Sequence, residues 1–113
     1  MSTIFKKIIN KEINADIIYE DENTLCFKDI NAVAPIHLLI IPKIEIPTIN
    51  DIKNDDKTII GDMILTAKKV AKKLKIDKKG YRIVINCNKD AGQTVFHLHM
   101  HLLAGRKLTW PPG

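Results

Sequence analysis

Apolar and polar positions follow two different periods along this chain, and each change of period marks an element. In "TIFKKIINKE" the apolar residues are Ile4, Phe5, Ile8 and Ile9. Steps of three and four residues, with Thr3 or Ser2 in front as a cap, predict a short helix. "IIYEDENTLCFKDI" holds two β-rich runs around Asp21, Glu22 and Asn23, which predicts a hairpin. "HLLIIPK" is a nearly continuous apolar run closed by Pro42. Short and β-branched, it predicts a strand buried on both faces. From about Asp55 to Lys75 the apolar residues Ile59, Ile60, Met63, Ile64, Ala67, Val70, Ala71 and Leu74 step along one face, with lysines opposite. That is the pattern of a long amphipathic helix, and Gly80 ends the helical region. "YRIVINCN", Tyr81 to Asn88, predicts a strand and "KDAGQ" a turn. "VFHLHMHLLAG" then alternates strictly and predicts the last strand.

Three strands, a helix and two more strands, after one short helix, give an α+β fold class. The expectation is a five-stranded antiparallel sheet with one long and one short helix, the helices on one face. Residues 1–113 form a single domain in this reading. An open sheet has edges that must be blunted or paired, and pairing with a second copy makes a homodimer the expected state.

Composition adds little and excludes more. At 113 residues and 45% hydrophobic, the chain can bury a core, and 27% charged residues fit a globular protein rather than a fibrous or disordered one. The net charge of +5 suits anionic partners such as phosphates. Much of the excess lies in "AKKVAKKLKIDKKG", where lysines at helical spacing read as a solvated face. Nucleic-acid binding through it lacks interleaved aromatics and is not expected. Cys26 and Cys87 are far apart and form no C-x-x-C pair, so neither a disulfide framework nor a thiolate zinc site is expected. "MSTIFKKIIN" has lysines within its apolar stretch, unlike a signal peptide, and the longest apolar run is too short to span a bilayer. A cytoplasmic, membrane-free location is expected.

The candidate chemistry lies in "GQTVFHLHMHLLAG". His97, His99 and His101 occupy alternate positions in a chain whose only other histidine is His37. On a strand they share one face, while Leu98, Met100 and Leu102 share the other. One strand histidine is most often structural; three on one face call for a function. A metal site fits poorly. His97 and His101 would have Cα atoms about 13 Å apart at roughly 3.3 Å per residue, beyond what two imidazoles bridge through one ion. Two of the three with His37 remain geometrically possible, but no Asp, Glu or Cys lies in the strand to complete the set.

Nucleophilic catalysis fits better. A neutral imidazole is a good nucleophile near pH 7, and attack on phosphorus gives an N–P bond that water can break. Such a site needs a central nucleophile, flanking donors and a proton for the leaving group. Gly92, Gln93 and Thr94 add backbone N–H groups and a hydroxyl just upstream, where an anion could rest.

"QTVFHLHMHLLAGRKLTWPPG" resembles the signature and C-terminus of the histidine triad family, H-x-H-x-H followed by apolar residues. "IFKKIINKEINADIIYEDENTLCFKDINAVAPIHLLIIPK" and "KGYRIVIN" are similar to the same family in the same order, so the likeness covers nearly the whole chain. It points to the purine nucleoside phosphoramidase branch. The resemblance implies a dimeric hydrolase that cleaves adenosine or guanosine 5′-monophosphoramidates, with aminoacyl-adenylates within the same chemistry, through a nucleotidyl-histidine intermediate without a cofactor. It implies His99 as nucleophile, His97 and His101 as phosphate hydrogen-bonding partners, and His37 behind them. Asn86 and Thr94 would contact the phosphate or leaving group. Asp29 would accept hydrogen bonds from the ribose, Phe27, Ile30, Phe5 and Ile8 would line the base pocket, and Trp110 would lie near the partner subunit's site.

Thr94 stands where serine is usual, and Ala104 where glycine is common. The N-terminal C-x-x-C of several relatives has no counterpart here, so no metal is expected. The rival from another class is a nucleotide-binding scaffold with vestigial catalysis, against which the intact His99 argues.

Overall fold

The computed structural model describes residues 3–113. Helix α1 spans Ile4–Ile9, with the Thr3 hydroxyl accepting from the Lys6 amide and Lys6 and Lys7 in its last turn. That arrangement answers the unpaired N–H groups at one end and the dipole at the other. Strands β1 (Ile17–Glu20), β2 (Thr24–Lys28) and β3 (Ile36–Pro42) follow as an antiparallel meander. Two single 3-10 turns, Ile49–Asp51 and Asn54–Asp56, lead into α2, Lys57–Lys73. Then come β4 (Arg82–Val84), a four-residue helix α3 (Asn88–Ala91) and β5 (Met100–Ala104). The sheet order is β1-β2-β3-β5-β4, antiparallel throughout, as expected.

The helices do not share a face. Cys26, Leu38, Ile40, Met100, Leu102 and Ala104 point to one side and pack on Met63, Ala67, Val70 and Ala71 of α2. The alternate residues Leu25, Phe27, Leu39 and Ile41 point to the other side, where Phe5 and Ile8 of α1 cover them. Period-two alternation in β2 and β3 therefore feeds two cores, which is why "LLII" is apolar at every position. On the α2 side the buried Thr24 and Thr66 hydroxyls satisfy each other at 2.8 Å.

Two expected strands come out shorter. The pairing of β5 with β3 runs from Ala104 only to Met100. Beyond it β3 ends at Pro42, whose carbonyl is taken by the His97 ring at 2.9 Å, while the Leu98 amide bonds Ile46 O instead. His97 and His99 thus precede the regular strand. Strand β4 stops at Val84, so Asn86 lies outside it, and the expected "KDAGQ" turn is α3 closed by Gly92 at φ +89°.

The candidate active site

A cleft of about 330 Å³ opens between α1 and the sheet face that carries His37 and His101. Its apolar wall comes from Phe5, Ile8, Phe27, Leu39 and Ile30, the last 91% exposed; Asp29, Thr94, His99 and His101 line its polar end. Eight of the expected site residues therefore meet in one place: Phe5, Ile8, Phe27, Asp29, Ile30, Thr94, His99 and His101. Ile13, Asn14, Ala15, Lys28, Asn31 and Val95 also line it and were not picked out from the sequence. Ile13, Asn14, Ala15 and Asn31 lie in loops with no period of their own, and Lys28 and Val95 at the ends of alternating runs, so only the fold assembles them.

Strand register brings His37 to His101. His37 pairs with Leu103 and Leu39 with His101, which makes the two histidines diagonal neighbours on one face. Their Nε2 and Nδ1 atoms are 2.9 Å apart. Which ring holds the proton follows from the loop before β3. The Val33 amide donates to His37 Nδ1 at 3.1 Å, so the single proton of a neutral His37 sits on Nε2. It is donated to His101 Nδ1, and the proton of His101 is left on Nε2. The Val33 carbonyl is in turn held by the Arg106 guanidinium.

His99 has the complementary tautomer. Its Nδ1 lies 2.7 Å from the His97 carbonyl, which can only accept, so Nδ1 carries the proton and Nε2 is a bare lone pair. The edge of the Phe5 ring packs on this imidazole at a centroid distance of 4.9 Å. Burial pushes the His99 pKa below its ordinary value. Burial, then the neighbouring His99 and His37, drives His101 down to about 4. Both rings are therefore neutral at pH 7.

Three expectations need correction. His97 is 1% exposed, and its Nε2 donates to Pro42 O, so it sits beneath the cleft instead of reaching into it. Burial also lowers its pKa, and its Nδ1 has no hydrogen-bond partner among the described residues. The Gly92 and Gln93 amides are not free for an anion, because they bond Lys89 O and Asn88 O. The Gln93 side chain is buried and spent on Asn88, Pro47 and Val95. Asn86 is half-buried and does not line the cleft. Trp110 is 80% exposed, with the Arg82 guanidinium 6.0 Å from its ring centre.

Asp29, His37 and His101 are close enough for one metal ion, with ligand atoms within 4.8 Å of one another. The proton arrangement disfavours it. An ion at His37 Nε2 would displace the proton that the Val33 N–H holds there. Moving that proton to Nδ1 would set donor against donor. The thiol of Cys26 is no alternative ligand, since burial pushes it up to about 12.

Comparison with known proteins gives the family. Residues 10–108 match the HIT domain family. The chain is 49% identical over 106 residues to the purine nucleoside phosphoramidase of Escherichia coli, covering 94% of this chain and 89% of that protein. A HIT-like protein of Synechocystis is 50% identical over 111 residues, covering 98% and 96% of the two chains. The crystal structure of a HIT family hydrolase from Legionella pneumophila superposes with a TM-score of 0.97 at 48% identity, over 99% of this chain and 100% of that one.

Proposed function

The chain belongs to the HIT domain family, and from that premise we propose that it hydrolyses purine nucleoside 5′-monophosphoramidates to the nucleotide and a free amine. The bare Nε2 of His99, facing a cleft that is apolar at one end and polar at the other, carries this reading. The purine lies against Phe5, Phe27, Ile8 and Ile30, the ribose hydroxyls donate to Asp29, and the phosphoryl group rests between His99, His101 and Thr94. The name of the Escherichia coli relative supports the bond type and the purine.

His99 Nε2 attacks phosphorus, the P–N bond to the amine breaks, and the amine leaves with a proton drawn from solvent. The nucleotidyl-imidazolium keeps its Nδ1 proton, so the His97 carbonyl faces the positive charge that forms. The His101 Nε2–H donates to a phosphoryl oxygen where negative charge develops. Water then attacks phosphorus, the bond to His99 breaks, and the proton borrowed in the first step returns to solvent. His97 is a positioning residue in this scheme, because it places the carbonyl that fixes the His99 tautomer. No step uses a metal.

The protein works as a homodimer in this reading, in keeping with β4 at the open edge of the sheet and the exposed Trp110. Two free cysteines suit the cytoplasm. Hydrolysis of a fluorogenic adenosine 5′-phosphoramidate tests the proposal. Wild type turns it over in the presence of chelator, and His99→Ala lowers kcat by about 10⁴ or more, as loss of a nucleophile does. A wild type that binds AMP without turnover supports a nucleotide-binding module instead. Activity abolished by chelator overturns the metal-free mechanism.

A further inference from the structure

The proposed ribose carboxylate also touches the machinery at the phosphate end. Asp29 Oδ2 lies 3.3 Å from His37 Nε2, the same atom that is 2.9 Å from His101 Nδ1. Since the Val33 amide confines the His37 proton to Nε2, a single N–H faces two acceptors. It cannot point well at both. The carboxylate competes by charge, the imidazole by distance. The other oxygen of Asp29 accepts from the Asn31 amide at 2.8 Å, and the Asp29 amide donates to His37 O at 3.0 Å, so the carboxylate cannot swing away. The His37 side chain is 5% exposed and that of Asp29 17% exposed, and Asp29 with His101 lines the cleft.

We infer that Asp29 couples ribose recognition to phosphoryl transfer, through His37. The inference rests on the proposed phosphoramidase reading. Without a sugar, the His37 N–H is given to His101 Nδ1, while the Asp29 carboxylate, 3.3 Å from the same nitrogen, pulls the proton off that line by its charge. When the ribose hydroxyls donate to Asp29, they draw off its negative charge, and the His37 N–H bond to His101 Nδ1 is no longer weakened by that pull. A stronger bond into Nδ1 of His101 alters the donor strength of its Nε2–H, which faces the phosphoryl oxygens. The sugar therefore acts on the transition state as well as on binding. A carboxylate that served only as a handle would bind ground state and transition state alike, changing KM and leaving kcat alone.

The split between kcat and KM decides it. The substrates are the adenosine 5′-phosphoramidate and its 2′,3′-dideoxy counterpart. With wild type, the dideoxy substrate raises KM and also changes kcat, by about three- to tenfold downward, since a weakened oxyanion donor costs less than a deleted one. With His37→Ala, whose link to His101 is gone, the dideoxy penalty on kcat disappears and the KM penalty stays. Asp29→Asn serves as a second variant should His37→Ala not fold. Its amide removes the carboxylate's charge from the competition, and the kcat penalty shrinks in the same way. Equal kcat for the two sugars in wild type overturns the coupling while leaving the phosphoramidase reading intact. So does a penalty of the same size in wild type and variants. No turnover of the ribose substrate by wild type overturns the phosphoramidase reading, and the coupling with it.

Discussion

Three histidines that look equivalent in "HLHMH" have three different situations, and their surroundings separate them. His97 is sealed below the cleft on Pro42 O, His99 shows a bare Nε2, and His101 shows an Nε2–H. The spacing indicated a polar cluster, but it could not assign tautomers, because these are set by a distant carbonyl, a loop amide and a neighbouring strand. Asp29 was expected at the ribose from the family resemblance alone, and its contact with His37 required the β2–β3 loop to close. The lowered pKa of His99 leads to a pH profile. The proposed nucleophile, His99, attacks only when neutral, and burial lowers its pKa from the ordinary 6.5. In kcat/KM against pH, the acidic limb therefore has its midpoint below 6.5. A limb centred at 6.5 or above would mean that a solvated imidazole, not this one, sets the rate.

At the scale of elements, period and capping were legible wherever a segment buries one clear face. The short helix, the hairpin, β3 and α2 all appear where the pattern placed them. The placement of both helices on one face was wrong, and the corrective sign was already in the chain. A strand apolar at every position needs cover on both sides, which α1 provides. The ends of β4 and β5 were not legible, because they depend on where the partner strand stops and not on the alternation itself. Between β3 and β5 the register is what brings His37 against His101, and Gly105 guards its open end. Its φ is +91°, and a Cβ there would lie 2.8 Å from the Cβ of Pro35. Pro35 is rigid and leads directly into β3, so it cannot yield cheaply. Gly105→Ala is expected to cost about 2–4 kcal/mol from the disfavoured φ and the overlap together. Urea unfolding would measure it, and a change under about 0.5 kcal/mol, the range of a neutral surface substitution, would show that the β3–β5 junction is not constrained in this way.

The whole molecule places its four histidines and two cores around one sheet, and that arrangement has a consequence for stability. His97, His99 and His101 all have pKa values lowered chiefly by burial, His101 to about 4. In the unfolded chain these residues titrate near 6.5. As the pH falls below that value the unfolded chain takes up protons that the folded protein refuses, so stability rises with pH across this window and is lost on acidification. For His101 the loss continues until the folded ring also protonates, near pH 4. Two carboxylates add to it lower down. Glu20 is held below its usual value by hydrogen bonds from Lys11 and Lys43. Asp21, although burial pushes it up, is held down by the Asn23 and Thr24 amides. Each proton taken up only by the unfolded state costs about 1.4 kcal/mol per pH unit. Urea unfolding at pH 7.0, 6.0 and 5.0 should therefore give steadily falling midpoints, above the range where the carboxylates contribute most. His97→Gln removes one of these groups and should flatten the slope between pH 6 and 5 whatever it does to stability at pH 7. Midpoints that hold level from pH 7 to 5 would mean that the buried imidazoles accept protons in the folded state. In that case the neutral His99 on which the proposed attack depends would not survive mild acid either.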